Sequence, residues 1–491
     1  MKYDLIIKNG LFFDGKGSPS EQRHVGIRDG VVTAISNEAL DETGARVVDA
    51  KGQWVMPGFV DTHTHYEAEL MVAPALSESL RHGVTTVITG SCSLSTVFSN
   101  AEDCADMYSR VEALPYEPVL EILQREKNWS TPAGWVDHLN TLALGPNVAS
   151  MVGHSDLRVA SMGLGRSTTK EKPTKEERRE MEGMLESALD AGFVGMSSMT
   201  NPWDKLTGDR FRSRSLPSTY ATWGEYGWLN KVLRRAGRIL QSAPNLNTKV
   251  NIFRFFAASG SFLWRKALKT SLISAADPKA SSWLVPLFGA VTQFVNRLFG
   301  AHLRWQAVPR SFELYADGID LVVFEEFGAG AEAMHLVDEL ERNHLFKDEA
   351  YRRRFRKDYE KKFSPRIWHR DFHDAHIVDC PETELIGKTV GEVADERGIH
   401  VCDQFLDLAA AYGSQFRWKT VITNHRPEVV NRMVSFPHVH IGFADAGAHL
   451  RNMAFYNFPL HMLKRVKDAQ DAGKPFMSME RAVHKLTGEL G

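Results

Sequence analysis

Two histidines separated by one residue close an apolar run, Pro57-Gly58-Phe59-Val60-Asp61-Thr62-His63-Thr64-His65. On extended backbone, side chains at i and i+2 point to the same face. His63 and His65 therefore present two imidazoles side by side, an arrangement that binds a divalent metal. A bare His-x-His also reads as a pair of surface or core histidines. Here Pro57 and Gly58 mark a strand entry and the apolar strand leads straight into the pair, which favours the metal. A hydrolytic metal site takes about three protein ligands and keeps an open position for water, whose pKa the metal lowers to about 7. Asp445 follows the run Val439-His440-Ile441-Gly442-Phe443-Ala444 and is the natural third ligand. Its carboxylate is also suited to take a proton from water and return it to a leaving amine.

Those residues must be held by a scaffold. Residues 3 to 56 read as short strands, with turns at Asn9-Gly10 and a hairpin signal at Asp29-Gly30. From Pro57 onward strands alternate with helices, the pattern of βα units. Val84–Ile88, Val148–His154 and Phe193–Ser197 read as the second to fourth strands. Arg238–Gln241, Leu268–Leu272 and Leu303–Val308 are the expected fifth to seventh, and Val439–Phe443 the eighth. Lys175 to Ala191 has the periodicity of an amphipathic helix. An insertion is expected from about 310 to 435, with a charged, solvated helix over Asp348 to Phe363. Its histidines His369, His373 and His376 read as loop or surface residues. Trp283 to Leu303 is apolar and aromatic, but Gln293, Asn296 and Arg297 interrupt it, so a barrel helix or a wall for an apolar substrate is expected rather than a membrane span.

Composition sets the remaining bounds. The 491 residues exceed the roughly 250 that a barrel takes, leaving room for a second domain. A net charge of -2 gives no sign of a nucleic-acid or membrane-surface partner. Cys92, Cys104, Cys380 and Cys402 lack zinc-ribbon or Cys-x-x-Cys spacing. So few cysteines, together with an N-terminus that has no apolar signal region, point to a cytoplasmic protein. A small-molecule substrate is the expected partner, and a homo-oligomer is compatible with the apolar helix.

The stretch "PGFVDTHTHYEAE" resembles the first barrel strand of the amidohydrolase superfamily, and the chain is most similar to its D-aminoacylase branch, the N-acyl-D-amino-acid deacylases. The motifs behind this run from Met1 to about Gly447. The resemblance implies an α/β fold: a (β/α)8 TIM-like barrel over 57–491, and a small β-sandwich domain to which residues 1–56 contribute the N-terminal strands. The family's Gly-Asp-x-Ala-Asp-Leu-type segment, which completes that small domain, does not follow Gly488, so a chain truncated at its C-terminal part is expected. In a barrel the eighth strand closes on the first, which brings Asp445 beside the histidine pair.

The resemblance also implies site residues. Cys92, in a "Gly-x-Cys" turn at the end of the second strand, corresponds to the family's metal-binding cysteine, giving the ligand set His63, His65, Cys92 and Asp445. His154 lies in Gly153-His154-Ser155-Asp156-Leu157-Arg158, similar to the family's "Gly-His-x-x-Leu-Arg" turn. His154 is expected at the oxyanion and Arg158 at the substrate. Arg451 is the expected partner of a substrate carboxylate, with His449 beside it. The family carries one histidine at the end of each of strands five and six. Here no histidine occurs between His154 and His302, and Gln241 stands near the first position. One zinc per chain is therefore expected. The implied activity is hydrolysis of an N-acyl (D-)amino acid by metal-activated water, with Asp445 as base and then acid. Two alternatives stand beside it: a hydrolase of a larger apolar amide, ester, lactone or cyclic amide, and a degenerate barrel that binds without catalysing.

Overall fold

The computed structural model of the chain describes residues 2–245, 251–261, 266–281, 283–361 and 366–491. The chain opens with β1 (Leu5–Phe12), β2 (Glu21–Arg28), β3 (Val31–Ser36), β4 (Arg46–Asp49) and β5 (Trp54–Val55). These form one five-stranded mixed sheet in which β1 is central, antiparallel to β2 and parallel to β4 and β5. The β2–β3 turn is the expected Asp29-Gly30, with both residues at positive φ as a tight hairpin requires. The sheet is tied to the end of the chain through His484 Nδ1, which hydrogen-bonds Gly15 O at 2.7 Å.

The eight barrel strands are β6 (Phe59–Asp61), β7 (Val84–Thr89), β8 (Asn147–Gly153), β9 (Gly195–Met199), β10 (Ile239–Ala243), β11 (Lys269–Ile273), β12 (His302–Gln306) and, much later in the chain, a last short strand at Val439–His440. They make a single parallel sheet in this order. The sheet curls until its edges meet. Thr62 N–H donates to Gly442 O at 2.9 Å, His65 N–H to Ala446 O at 2.7 Å, and Thr64 bridges Ala446 in parallel register. The architecture is a TIM-like α/β barrel.

Helices Ala101–Tyr108 and Tyr116–Glu126 pack in a separate cluster, while most of the barrel helices bury a stripe in one core with the sheet. Lys175–Asp190 shows how the sequence builds such a helix. Thr174 caps it and exchanges hydrogen bonds with Glu177 in a capping box, while Met181, Leu185, Ala188 and Leu189 face inward.

The chain between β12 and the last barrel strand makes a second sheet, β13 (Phe312–Asp317), β14 (His376–Asp379) and β15 (Arg417–Thr423), antiparallel with β15 in the middle. Helices cover it around a second aromatic core, where Phe372 stacks on Phe405 at 4.4 Å and Trp368 and Trp418 are fully buried. The helix expected to be solvated over Asp348 to Phe363 is observed over Glu349–Glu360, and its Tyr351 and Phe355 are buried in that core. Its high charge obscured a narrow apolar face. We number the last barrel strand β16 (Val439–His440). It is shorter than the apolar run suggested, because after His440 the chain leaves the ladder with β12 to reach the first strand.

Candidate metal centre

The first and last strands are pinned by one buried carboxylate. Asp61, the final residue of β6, accepts from His63 N–H at 3.2 Å and from Ala444 N–H at 3.3 Å. This fixes the backbone on which His63 and Asp445 sit. The two imidazoles converge as the i, i+2 spacing requires, with Nε2 to Nε2 at 3.3 Å. Cys92 Sγ lies 3.4 Å from His63 Nε2. Asp445 Oδ1 lies 3.4 Å from His63 Nε2 and 3.1 Å from His65 Nε2. Four donor side chains from three strand ends thus gather, with Glu112, in two overlapping groups that share His65, His63–His65–Cys92 and His65–Glu112–Asp445.

The loops that deliver them are strained or tightly fitted. Cys92, Asp445 and His449 all have positive φ, at 52°, 55° and 53°, a conformation that non-glycine residues adopt rarely and that clusters at functional sites. Gly90, two residues before Cys92, has φ 78°, and a Cβ there would lie 1.9 Å from Met151 O. Only glycine lets the loop after β7 turn this close to β8. Its N–H donates to Glu67 Oε1 at 2.6 Å.

Two further residues complete the cluster and were not singled out by the sequence. Glu112 lies in the turn after helix Ala101–Tyr108, fully buried, with Oε1 3.3 Å from His65 Nδ1 and Oε2 3.5 Å from His449 Nε2. Neither of its carboxylate oxygens has a hydrogen-bond partner. Its only signal in the sequence is a carboxylate between Val111 and Ala113, which a surface turn carries equally well. Gln306, at the end of β12, accepts from His63 Nδ1 at 2.8 Å and donates to Ser271 Oγ at 3.1 Å. That leaves His63 Nε2 free to face the cluster. Phe443 lies against the His63 ring at 4.5 Å.

Burial and charge compete here. Burial pushes Asp445 up, but the hydrogen bond from His65 and the charges of His63 and His449 outweigh it and hold the carboxyl below the usual aspartate range. Burial lowers His63 to about 4 against the pull of Asp445. Burial also acts to lower His65, yet Glu112, Asp445 and Cys92 together raise it well above an ordinary histidine. Burial pushes the Cys92 thiol up to about 12 against its contact with His65. The set favours a positive charge at its centre. His65 supplies one as a proton, and a divalent ion would supply it with the ligands deprotonated. Facing imidazole nitrogens, a thiol, a carboxylate and the orphaned Glu112 oxygens fit such an ion.

His449 joins this cluster, 3.7 Å from Asp445 Oδ2, while its N–H donates to Glu112 O at 2.6 Å. Other expected site residues are placed elsewhere. His154 and Arg158 are fully buried on the first turns of helix His154–Met162. His154 Nε2 hydrogen-bonds Glu225 Oε1 at 2.8 Å, and Arg158 Nη1 donates to Glu225 Oε1 and Oε2 at 2.6 and 2.5 Å. Arg158 Nη2 reaches Ser167 O at 3.3 Å. Arg158 is thus engaged in an internal ion pair. Arg451 is exposed and donates to Asp317 Oδ2 at 2.7 Å. Gln241 Nε2 donates to Thr62 O at 3.3 Å, and its Oε1 is buried without a hydrogen-bond partner. Within the second sheet region His369 contacts Asp374 at 2.9 Å, and His373 and His376 are exposed. None of the three belongs to a metal-compatible group among the described residues.

The His154–Glu225–Arg158 trio carries a prediction. Glu225→Ala leaves Arg158 buried without its counter-ion, which costs about 3–5 kcal/mol. Denaturant unfolding of the variant is expected to show that loss, with turnover per folded, metal-loaded molecule unchanged. Unaltered stability with lowered turnover would instead place His154 and Arg158 at the substrate.

Comparison with known proteins sets this geometry in context. A model of the amidohydrolase family matches residues 46–207. A protein of Mycobacterium tuberculosis described as uncharacterised is 55% identical across 99% of this chain and 81% of its own length. The N-acyl-D-aspartate deacylase of Alcaligenes xylosoxydans xylosoxydans is 33% identical over 200 residues, 40% of this chain and 36% of that protein. Among solved structures, the N-acyl-D-glutamate deacylase of Bordetella bronchiseptica, complexed with zinc and a phosphonate mimic of the tetrahedral intermediate, superposes with a TM-score of 0.65. It is 20% identical and the match covers 100% of this chain and 85% of that one, a likeness of fold.

Proposed function

Because this chain belongs to the amidohydrolase family, on its D-aminoacylase-like branch, we propose that it hydrolyses the amide bond of an N-acyl (D-)amino acid at a zinc centre held by His63, His65, Cys92 and Asp445. The chain is a hydrolase of carbon–nitrogen bonds other than peptide bonds. The observation that supports a metal-dependent hydrolase is the approach of His63, His65, Cys92 and Asp445 beyond the ends of β6, β7 and β16, with neighbouring donor atoms 3.1–3.4 Å apart. In a barrel of this kind, catalytic groups gather at that face. When bound, the ion polarises the scissile carbonyl and makes water acidic enough to react at neutral pH.

The chain's own residues do the rest. Asp445 turns Oδ1 to both imidazoles and Oδ2 toward His449. Asp445 Oδ2 takes one proton from the attacking water as the new C–O bond forms, and hands it to the leaving nitrogen as the C–N bond breaks. Gln306 hydrogen-bonds the Nδ1 side of His63 and so orients its Nε2 atom, while Glu112 faces the Nδ1 side of His65 as a charge partner. His449, wedged between Glu112 and Asp445, borders the Oδ2 of Asp445 that exchanges the proton. The five-stranded N-terminal sheet is read as one layer of a small β-sandwich. The exposed Val31, Val32, Ile35 and Trp54 support that reading.

A second reading is favoured by the two arginines. Arg158 is paired with Glu225 and Arg451 with Asp317, so neither is held out for a substrate carboxylate. That suits a larger apolar amide or ester. A substrate panel separates the two readings: N-acyl-D-amino acids, their L-enantiomers, aromatic amides and aromatic esters. Release of free amino acid from the N-acyl-D compounds, with the highest kcat/KM of the panel, is expected. Cleavage of aromatic amides or esters alone would replace the N-acyl amino acid reading by the second one.

A further inference from the structure

The overall charge of -2 conceals a strong segregation. From Tyr226 to Phe312 the sequence holds thirteen lysines and arginines and a single acidic residue, Asp277, whose carboxylate is bound to Arg426. This block supplies β10, β11 and β12 and the helices packed outside them, so the charge lies on one side of the barrel.

The same side carries an apolar face that points to solvent. Helix Leu284–Leu298 is seated on the barrel by its inner residues. Thr292 Oγ1 accepts from Trp305 Nε1 at 2.8 Å, Phe288 packs on Trp305, and Asn296 exchanges hydrogen bonds with the backbone of Leu303. Its outer face is nevertheless largely apolar, broken by the exposed Gln293 and Arg297. Leu287, Phe294 and Leu298 are 49%, 58% and 60% exposed, and follow one another at helical spacing over about 16 Å. Arg297 is the one charged residue of this helix, and it is exposed. The neighbouring helix Asn251–Ser259 adds Phe253, 63% exposed, and Arg254. The two helices are joined at their C-terminal ends, where Ser261 N–H donates to Phe299 O at 3.0 Å and His302 N–H to Ser259 Oγ at 3.1 Å. Lys266 and Lys269 are exposed beside that corner, and His302 pairs with Lys269 in the sheet. Among the described residues, Lys266, Lys269 and Arg297 make no ion pair.

A barrel helix that faces water should be polar outside. Helix Lys175–Asp190 of this same barrel obeys that rule, exposing Glu176, Arg179, Glu180 and Glu186. The departure is local, and it coincides with the cationic block. We propose that this side of the barrel docks on the surface of an anionic lipid bilayer, with Leu287, Phe294, Leu298 and Phe253 entering the headgroup boundary while Arg254, Lys266, Lys269 and Arg297 lie against the lipid phosphates.

The combination is what such a surface recognises. An interfacial helix buries large apolar side chains among headgroups and uses lysine and arginine to hold anionic lipid. A second copy of the chain fits less well. A two-fold contact through this patch would press two cationic surfaces together. No helix of the described residues is long and apolar enough to cross a membrane, so the contact is with the surface. Acidic side chains return at the borders, with Glu186 paired to Arg235 and Glu428 on helix Pro427–Ser435. The docking face is thereby confined to these helices. The proposal does not depend on which amide the centre cleaves.

The test is co-sedimentation of the full chain with phosphatidylcholine vesicles made with and without phosphatidylglycerol, at increasing salt. Binding is expected to the anionic vesicles, to weaken steeply with salt, and to be small with phosphatidylcholine alone. Lys266→Glu/Lys269→Glu/Arg297→Glu is expected to bind about a hundredfold more weakly, since each basic residue near the surface contributes roughly fivefold. Phe294→Ser/Leu298→Ser should also release the protein, with metal content and thermal unfolding unchanged as controls for folding. The proposal is overturned if wild type stays in the supernatant with both vesicles, or binds both equally at all salt concentrations. It is also overturned if sedimentation equilibrium shows a dimer that Phe294→Ser/Leu298→Ser dissociates while no vesicle is bound, which would give the face to a second copy.

Discussion

An Asp445→Asn enzyme is expected to keep its fold and lose nearly all turnover, with kcat/KM lower by about 10³-fold or more. The substitution preserves shape, so the backbone hydrogen bond from Asp445 N–H to His63 O at 3.1 Å survives and the closure of the barrel with it. The carboxylate itself is lost. It is the group that both imidazoles approach through Oδ1, and the one whose surroundings keep it ionised. An amide offers no site for a proton arriving from water, and none to return to the leaving nitrogen. Circular dichroism together with kcat/KM on the best substrate of the panel checks this. Turnover within a factor of a few of wild type would remove Asp445 from the chemistry.

The second large effect concerns the metal. His63→Ala/His65→Ala deletes the two imidazoles that face each other at 3.3 Å and leaves Cys92 and Asp445 as the remaining donors of the proposed set. That is below the three protein ligands that a hydrolytic zinc site needs. The variant is expected to bind no zinc under conditions that saturate wild type, and to be inactive. Glu112→Gln is the graded form of the same experiment. It keeps the volume and removes the charge behind His65, and a loss of about 10–100-fold in metal affinity is expected. A Glu112→Gln protein that holds zinc as tightly as wild type would make Glu112 a bystander.

The part of this site legible in the sequence is the part carried by local spacing. His63 and His65 could be paired because strand geometry puts i and i+2 on one face, Asp445 could be added because it ends an apolar run, and Cys92 only because its turn resembles the family's metal-binding one. The order of the eight barrel strands follows from the same alternation. What could not be read was set by contacts between distant segments. Glu112 and Gln306 are ordinary residues in ordinary local settings, and only the fold brings them to the Nδ1 atoms of the histidines. His154 and Arg158 show another contact that only the fold reveals. Their motif suggests a substrate turn, but Glu225, on a helix 67 residues beyond Arg158, occupies both side chains. The fifth and sixth strands were placed within a residue or two, yet the function of Gln241 at the end of one of them, holding the Thr62 carbonyl, depends on a partner across the barrel. The charge segregation was present in the sequence throughout, and only a whole-chain balance hid it.

The central claim is that His63, His65, Cys92 and Asp445 hold a catalytic zinc. Elemental analysis of the purified chain after exposure to zinc, beside His63→Ala/His65→Ala treated identically, tests it most directly. About one zinc per wild-type chain and none in the variant is the predicted result. Wild type without zinc under those conditions, or a variant that retains it, would contradict the account.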